Sequence, residues 1–174
     1  MRHETTTRTL YQFDELTDAA KEKARDWYRE GVLDYEWWDC TYEDARTIGL
    51  EITGFDLDRS SYVKASFISS AEETAHKIEA EHGPSCETFI DAKAYLEARD
   101  RVTNVWECDE NGEFVNQDRL DISLDALDSN FLYTLCEDYR IMLQKEMEYL
   151  LSDESVDESI QINEYEFTID GKRA

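Results

Sequence analysis

Residues 13–49 read FDELTDAAKEKARDWYREGVLDYEWWDCTYEDARTIG, and this stretch predicts two amphipathic helices joined by a short turn. In the first helix, apolar side chains recur at helical spacing and therefore share one face. Thr17 is the predicted N-terminal cap, and Gly31 is the predicted stop because glycine adopts the left-handed conformation easily. We expect the other elements to pack on this face. Its members are Leu16, Ala20, Ala24, Trp27 and Tyr28.

The second predicted helix covers about residues 34–47 and has an aromatic stripe opposite an acidic one. Neighbouring residues of a helix point about 100° apart, so Trp37 and Trp38 are not expected to share one buried face. One of them is expected to pack under another element of the chain or to serve an interface. The acidic side faces a single arginine, Arg46, and contains Asp34, Glu36, Asp39, Glu43 and Asp44.

The rest of the chain alternates short strand patterns with longer helical ones. Strands are predicted near residues 5–13, 50–57, 63–67 and 165–169, with a bulge at Gly54. Helices are predicted at 71–82, 86–102 and 124–151, with a further helical turn at 153–160. The predicted fold class is therefore α+β, mainly helical, with a small antiparallel sheet of three to four strands.

Length and composition bound the organisation of the protein. A chain of 174 residues that is 41% hydrophobic can bury one sizeable core, so residues 1–174 are expected to form a single domain. There is no apolar run of membrane-spanning length, and a soluble cytoplasmic protein is expected. The cysteines at 40, 86, 108 and 136 are widely spaced, which favours reduced and mostly buried thiols over disulfides.

Charge is the strongest global signal. The chain has 42 acidic residues and 18 basic ones, for a net charge of -24. Such a field repels nucleic acids and anionic lipids and attracts basic protein surfaces. The expected partner is therefore a basic host protein, most simply one that binds nucleic acid, and neither direct nucleic-acid binding nor membrane binding is expected.

Three patterns raise the alternative of metal binding or catalysis. Residues 107–118 place oxygen ligands and a glycine as in a calcium loop, but the last ligand is a short aspartate, and a plain hairpin at Asn111-Gly112 is favoured. His76, His82 and Cys86 are zinc-ligand types, although surface histidines with a buried cysteine are favoured. The Asp56 and Asp58 pair arises by chance in so acidic a chain. The prediction is no enzyme, no catalytic residue, no metal and no cofactor. The calcium-loop positions are Glu107, Asp109, Asn111, Gly112 and Asp118.

Four stretches carry a resemblance to a known family: YQFDELTDAAKEKARDWYREG, DYEWWDCTYEDA, GLEITGFDLDRSSYVKASF and NEYEFTIDGKR. They resemble a family of small acidic proteins that bacteriophages encode, whose members are often labelled antitoxin-like. The resemblance implies a phage origin, action inside a bacterial host and an interaction protein rather than a metabolic enzyme.

These observations lead to two functional hypotheses. In the first, the chain inhibits a host nucleic-acid-binding or defence protein, as an anti-CRISPR-like DNA mimic does, because carboxylates on rigid helices imitate the regular charges of a duplex. In the second, it neutralises a partner toxin through aromatic and acidic contacts. A homodimer and a purely solubilising role for the charge stay open. The candidate partner-binding residues are Asp34, Glu36, Trp37, Asp39, Glu43, Asp44, Glu137, Asp138, Asp153, Glu154, Asp157 and Glu158.

Overall fold

The computed structural model describes residues 7–105 and 117–174, which form an α+β fold that is mainly helical, as the sequence predicts. The helices of this described part are α1 (Asp18–Arg29), α2 (Asp39–Thr47), α3 (Ala71–Glu81), α4 (Glu87–Val105), α5 (Gln117–Leu150) and α6 (Asp153–Ile162). Its strands are β1 (Tyr11–Gln12), β2 (Leu50–Asp56), β3 (Tyr62–Phe67) and β4 (Glu166–Phe167).

The described strands form two antiparallel sheets of two strands each, rather than the one sheet that was predicted. β2 and β3 are successive strands of a hairpin, and their register shifts between Ile52 and Gly54, which confirms the predicted bulge. β1 pairs instead with β4, so that Tyr11 lies opposite Phe167. An alternating pattern of side chains predicts a strand but does not indicate which other strand it pairs with. The partner of β1 was missed because β1 and β4 lie at opposite ends of the chain. The predicted hairpin at Asn111-Gly112 lies outside the described residues.

Contacts within the chain define two compact units. The first holds the residues before Trp38 and those after Gln144, and the second holds Trp38 through Gln144. The prediction of a single domain stays a prediction. The core of the first unit combines α1, α6 and β4 through Phe13, Leu16, Ala20, Ala24, Val156, Ile160 and Phe167.

In the first unit, α1 begins directly after Thr17, as predicted, although the threonine side chain makes no capping hydrogen bond. Ala20 and Ala24 are buried, which lets α1 approach its neighbours closely. The helix ends at Arg29 without a left-handed glycine, because the following Glu30 stays in the right-handed helical region. The role predicted for Gly31 as a left-handed stop is therefore wrong.

The C-terminal turn of the first unit packs against α1 through Gly171. Its backbone N–H donates to the carbonyl of Thr168 at 2.9 Å, and its φ is +83°. A Cβ at this position would lie 2.1 Å from the carbonyl oxygen of Ala20. Glycine is therefore required here both for its backbone conformation and for the closeness of the two segments.

In the second unit, α2 packs on β2, and α3 packs on α4. Ser70 caps α3, and its hydroxyl oxygen accepts a hydrogen bond from the N–H of Glu73 at 3.1 Å. Gly49, which follows α2, has a φ of +90° and its carbonyl accepts a hydrogen bond from the buried Thr74 hydroxyl. These contacts fix the second unit's helices to its hairpin.

The helix α5 begins at Gln117, seven residues before the predicted start. Its buried seam in the second unit recurs every four residues, at Phe131, Leu135, Tyr139 and Leu143. Met142 is exposed because it lies one position off this seam. The prediction of mostly buried thiols is also wrong for the described cysteines: Cys40 and Cys86 are exposed, and Cys136 is half-buried.

Candidate functional site

The first group of predicted partner-binding residues divides at the start of α2. The sequence pattern predicted a helix from about residue 34, but the helix begins at Asp39. Asp34, Glu36 and Trp37 therefore lie in the turn that precedes it. Local bonds hold this turn: the N–H of Asp34 donates to the carbonyl of Gly31, and that of Trp37 donates to the carbonyl of Tyr35. These bonds span three and two residues instead of the four of an α-helix, so the helix does not extend back toward Gly31.

The two adjacent tryptophans are both half-buried. In the second unit, the ring of Trp38 meets that of Phe55 edge-to-face, with centroids 5.5 Å apart. Trp38 therefore packs against β2 of its own unit. A role for Trp37 in partner binding stays a prediction.

On α2 itself, Asp39 and Glu43 are exposed one turn apart, and we call them the α2 pair. Neither carboxylate lies within ion-pairing distance of a cation in the described part of the chain. The nearby Arg46 is bound instead to Glu51, with two N–O distances of 3.3 Å. The α2 pair is thus exposed on the surface and has no ion-pair partner among the described residues.

The neighbouring Asp44 has a structural role. Its carboxylate accepts a hydrogen bond from the buried Tyr139 hydroxyl at 2.7 Å, and His82 Nε2 lies 3.5 Å from its other oxygen. Burial and this bond raise the pKa of Tyr139. Asp44 therefore satisfies a buried hydroxyl, and its part in a partner interface stays a prediction.

The acidic residues of α6 separate by helical phase into an inner and an outer set. Asp157 accepts two hydrogen bonds from the Arg25 guanidinium, at 2.6 and 2.7 Å, and Asp153 pairs with Arg29. These pairs join α6 to α1 and neutralise the inner set. Glu154 and Glu158 are exposed, and no ion pair of the described residues includes either of them. We call these two residues the α6 pair.

The pairing of Asp157 with Arg25 is expected to contribute to stability. Changing Asp157→Asn should lower the free energy of unfolding by about 1 kcal/mol, because a bidentate charge-assisted contact becomes a neutral one. Glu158→Gln, one residue further and facing out, should change it by less than about 0.5 kcal/mol. Urea denaturation of both variants measures the difference, and equal changes would contradict the inner and outer assignment.

Glu137 and Asp138 of α5 have different surroundings from each other. Glu137 pairs with Arg140 at 3.0 Å. Asp138 is half-buried, and burial, followed by the charge of Asp91 and a hydrogen bond to its carboxyl group, raises the pKa of Asp138 to about 7. Its Oδ2 atom is shut off from water and has no donor within reach among the described residues. Burial and the neighbouring carboxyl group of Asp91 therefore favour the protonated form of Asp138, so Asp138 is not a fixed negative charge at neutral pH.

A cleft of about 480 Å³ lies in the first unit between the end of α1 and the turn that follows it. Four aromatic side chains line it, together with Glu30, Gly31 and Val32. The ring centroid of Trp27 lies 5.3 Å from that of Tyr165, at an interplanar angle of 89°. The aromatic residues of this cleft, which we call the aromatic cleft, are Trp27, Tyr28, Tyr35 and Tyr165.

The charges around the aromatic cleft are of both signs. Glu30 lines it, and the carboxylate of Asp34 lies near Gly31, within 3.7 Å of where a Cβ would be. Outside the lining, the guanidinium of Arg173 lies over the ring of Tyr165, 4.7 Å from its centroid, and 5.7 Å from that of Trp27. Sequence reasoning assigned Trp27 and Tyr28 to the core. It missed the cleft because Tyr165 is remote in the chain.

The residues considered for metal binding or catalysis serve local structure where they are described. Asp56 accepts a hydrogen bond from the N–H of Asp58 at 2.8 Å, which is a turn contact. His82 is mostly buried, and its Nδ1 atom lies 2.7 Å from the Thr88 hydroxyl oxygen, whereas Cys86 is exposed. The prediction of a surface histidine and a buried cysteine is therefore wrong for this pair. Across residues 7–105 and 117–174, no three His, Cys, Asp or Glu side chains group as metal ligands. The calcium-loop pattern lies outside the described residues, except for Asp118 in the first turn of α5.

The chain matches no protein-family model, no curated protein and no solved structure. None of the described helices is both long enough and apolar enough to cross a bilayer.

Proposed function

We propose that this chain is an acidic interaction protein of bacteriophage origin. It acts in the cytoplasm of a bacterial host, where it binds a basic nucleic-acid-binding or defence protein and blocks the nucleic-acid site of that protein. The proposal assigns the chain binding rather than a chemical reaction. The observation that supports it most directly is the presence of two exposed carboxylate pairs on helices, the α2 pair and the α6 pair.

The geometry of these pairs suits mimicry of a phosphate backbone. The two carboxylates of each pair are four residues apart, which corresponds to a rise of about 6 Å along a helix. Neighbouring phosphates along one DNA strand have a similar separation, because each step combines a rise of about 3.4 Å with a rotation about the duplex axis. The helix α6 is also held in place by the ion pairs of Asp153 and Asp157, so the outer carboxylates are presented on a braced element. A basic groove that binds a strand of nucleic acid is therefore a suitable receptor.

The second candidate function is that of an antitoxin-type protein, and the aromatic cleft is the observation that favours it. Interfaces depend on a few aromatic anchors and pockets, surrounded by contacts of little energy. Truncation of cleft residues would then abolish binding, whereas neutralising the carboxylate pairs would have little effect. The two functions are separable by that comparison.

The test begins with the tagged protein exposed to a bacterial lysate at low salt. A retained protein is then purified and mixed with its own nucleic acid and increasing amounts of this chain. The proposal expects the chain to displace the nucleic acid, and the complex to dissociate as salt is raised, since the contacts are electrostatic. Simultaneous binding of chain and nucleic acid to the same protein would contradict mimicry.

A further inference from the structure

We infer that the aromatic cleft binds an arginine side chain of the basic partner. The inference rests on the part of the proposed function that both candidate functions share, which is the binding of a basic protein, and it names a ligand for one surface. Four aromatic rings converge on one cleft of the first unit, and the described residues that line it include a carboxylate but no cation. This combination favours a positively charged planar group.

Electrostatics selects a cation over a neutral ligand. The face of an aromatic ring carries partial negative charge, and a cation within about 6 Å of its centroid is attracted. Glu30 adds a carboxyl group to the lining, and Asp34 adds another near Gly31. The net charge of -24 further concentrates cations around the protein. Arg173, outside the lining, opposes this attraction in part, and the carboxyl groups of the cleft still favour a cation over a neutral aromatic ligand.

The flat faces of the aromatic rings favour a planar guanidinium over an ammonium group. A guanidinium is planar and weakly hydrated, so it stacks on aromatic faces and still donates hydrogen bonds at its edge. The chain itself contains this interaction: Arg173 lies over the rings of Tyr165 and Trp27, and also donates a hydrogen bond to the carbonyl of Glu166 at 3.0 Å. A second guanidinium has Tyr28 and Tyr35 as further partners in the cleft, with Glu30 as an acceptor.

Tyr35 is the most informative side chain for a test. It is 56% exposed and lies in the turn between α1 and α2, so its truncation removes cleft surface without removing core. Tyr133 on α5 is a matched control, since it is 66% exposed and belongs to the second unit. Glu81, exposed at the end of α3, is the control for Glu30.

The experiment titrates the full chain with N-acetyl-arginine amide, and separately with the citrulline analogue, which has the same shape but no charge. NMR follows the indole signal of Trp27, assigned with the Trp27→Phe variant, and the ring-current shift of the ligand's side-chain methylene protons. We expect arginine to move both signals and to bind at least about fivefold more tightly than citrulline. Tyr35→Ala and Glu30→Gln should each weaken binding by about threefold to fivefold, and Tyr133→Ala and Glu81→Gln should leave it unchanged.

Three results would overturn the inference. The first is equal affinity for arginine and citrulline, the second is unchanged affinity in Tyr35→Ala, and the third is tighter binding of trimethyl-lysine amide than of the arginine probe. Because this titration contains no partner, its failure leaves the proposed function standing. Conversely, arginine binding without any displacement of nucleic acid from a captured protein would support the cleft and contradict the mimicry.

Discussion

Replacing Gly171 with alanine is expected to lower the free energy of unfolding by about 3 kcal/mol or more. Two effects add at this position. The φ of +83° is unfavourable for a residue with a Cβ, and that Cβ would lie 2.1 Å from the carbonyl oxygen of Ala20. The obstacle is backbone in α1, so no side-chain rotation relieves it, and the C-terminal turn must move away from the core.

The matched control for this change is Gly83→Ala. Gly83 is exposed in the turn before α4, has no positive φ, and no atom would lie within 4 Å of its added Cβ. The change there should alter the free energy of unfolding by less than about 1 kcal/mol. Urea denaturation followed by tryptophan fluorescence measures both variants. Similar stability of the two would contradict the close approach of the C-terminal turn to α1.

The second large effect is a pH dependence that Asp138 generates. Its folded pKa of about 7 is above the ordinary value of 3.8, so the folded state retains a proton that the unfolded state loses. The resulting stability is fully present below about pH 4 and is lost as pH rises toward and through about 7. The full shift corresponds to about 4 kcal/mol, but water reaches part of this half-buried side chain, so we expect a loss of about 2 kcal/mol.

Asp138→Asn isolates this contribution. The amide has no charge to bury beside Asp91, Glu87 and Glu137, so the variant should lose about 2 kcal/mol less stability than the parent between pH 4.5 and pH 8. Asp100→Asn, at an exposed position of α4, should keep the parent's profile. Denaturation curves at several pH values provide the comparison. Parallel profiles for the parent and Asp138→Asn would show that Asp138 ionises normally.

Sequence reasoning predicted the features that depend on local spacing. The repeat of Ala20 and Ala24 located α1, the helical pattern of residues 71–82 located α3, and the change of phase at Gly54 indicated the bulge. Each of these signals lies within a few residues of the element that it specifies. The start of α2 was misjudged because the helical pattern of residues 34–38 is overridden by turn bonds that begin at Gly31.

The candidate site was less predictable because its contacts join distant parts of the chain. Asp157 was grouped with Glu158 as a partner-binding residue, yet it pairs with Arg25, 132 positions earlier. Nothing in the spacing of α6 distinguishes a carboxylate that faces α1 from one that faces out. Tyr165 likewise completes a cleft whose other aromatic residues all lie in residues 27–35.

The acidic residues therefore divide into classes that composition does not separate. Asp44 satisfies a buried hydroxyl, Asp157 joins two helices, and the pKa of Asp138 is raised by burial beside another carboxyl group. The α2 pair and the α6 pair are exposed on helical surfaces and make no ion pair among the described residues. The proposed function depends on these two pairs and on their fixed positions.

The most direct test neutralises both pairs at once and measures affinity for the captured partner as a function of salt. The variant carries Asp39→Asn, Glu43→Gln, Glu154→Gln and Glu158→Gln. The control removes the same number of acidic groups at exposed positions whose side chains make no hydrogen bond or ion pair among the described residues: Glu81, Glu97, Asp100 and Asp125, each changed to its amide. Net charge is then identical in the two proteins.

If the partner recognises these pairs, the paired variant should lose at least about tenfold in affinity at low salt and show a shallower salt dependence. The control should bind like the parent. Equal losses in the two proteins would contradict the account, because they would mean that the partner responds to total charge and not to carboxylates held at defined positions.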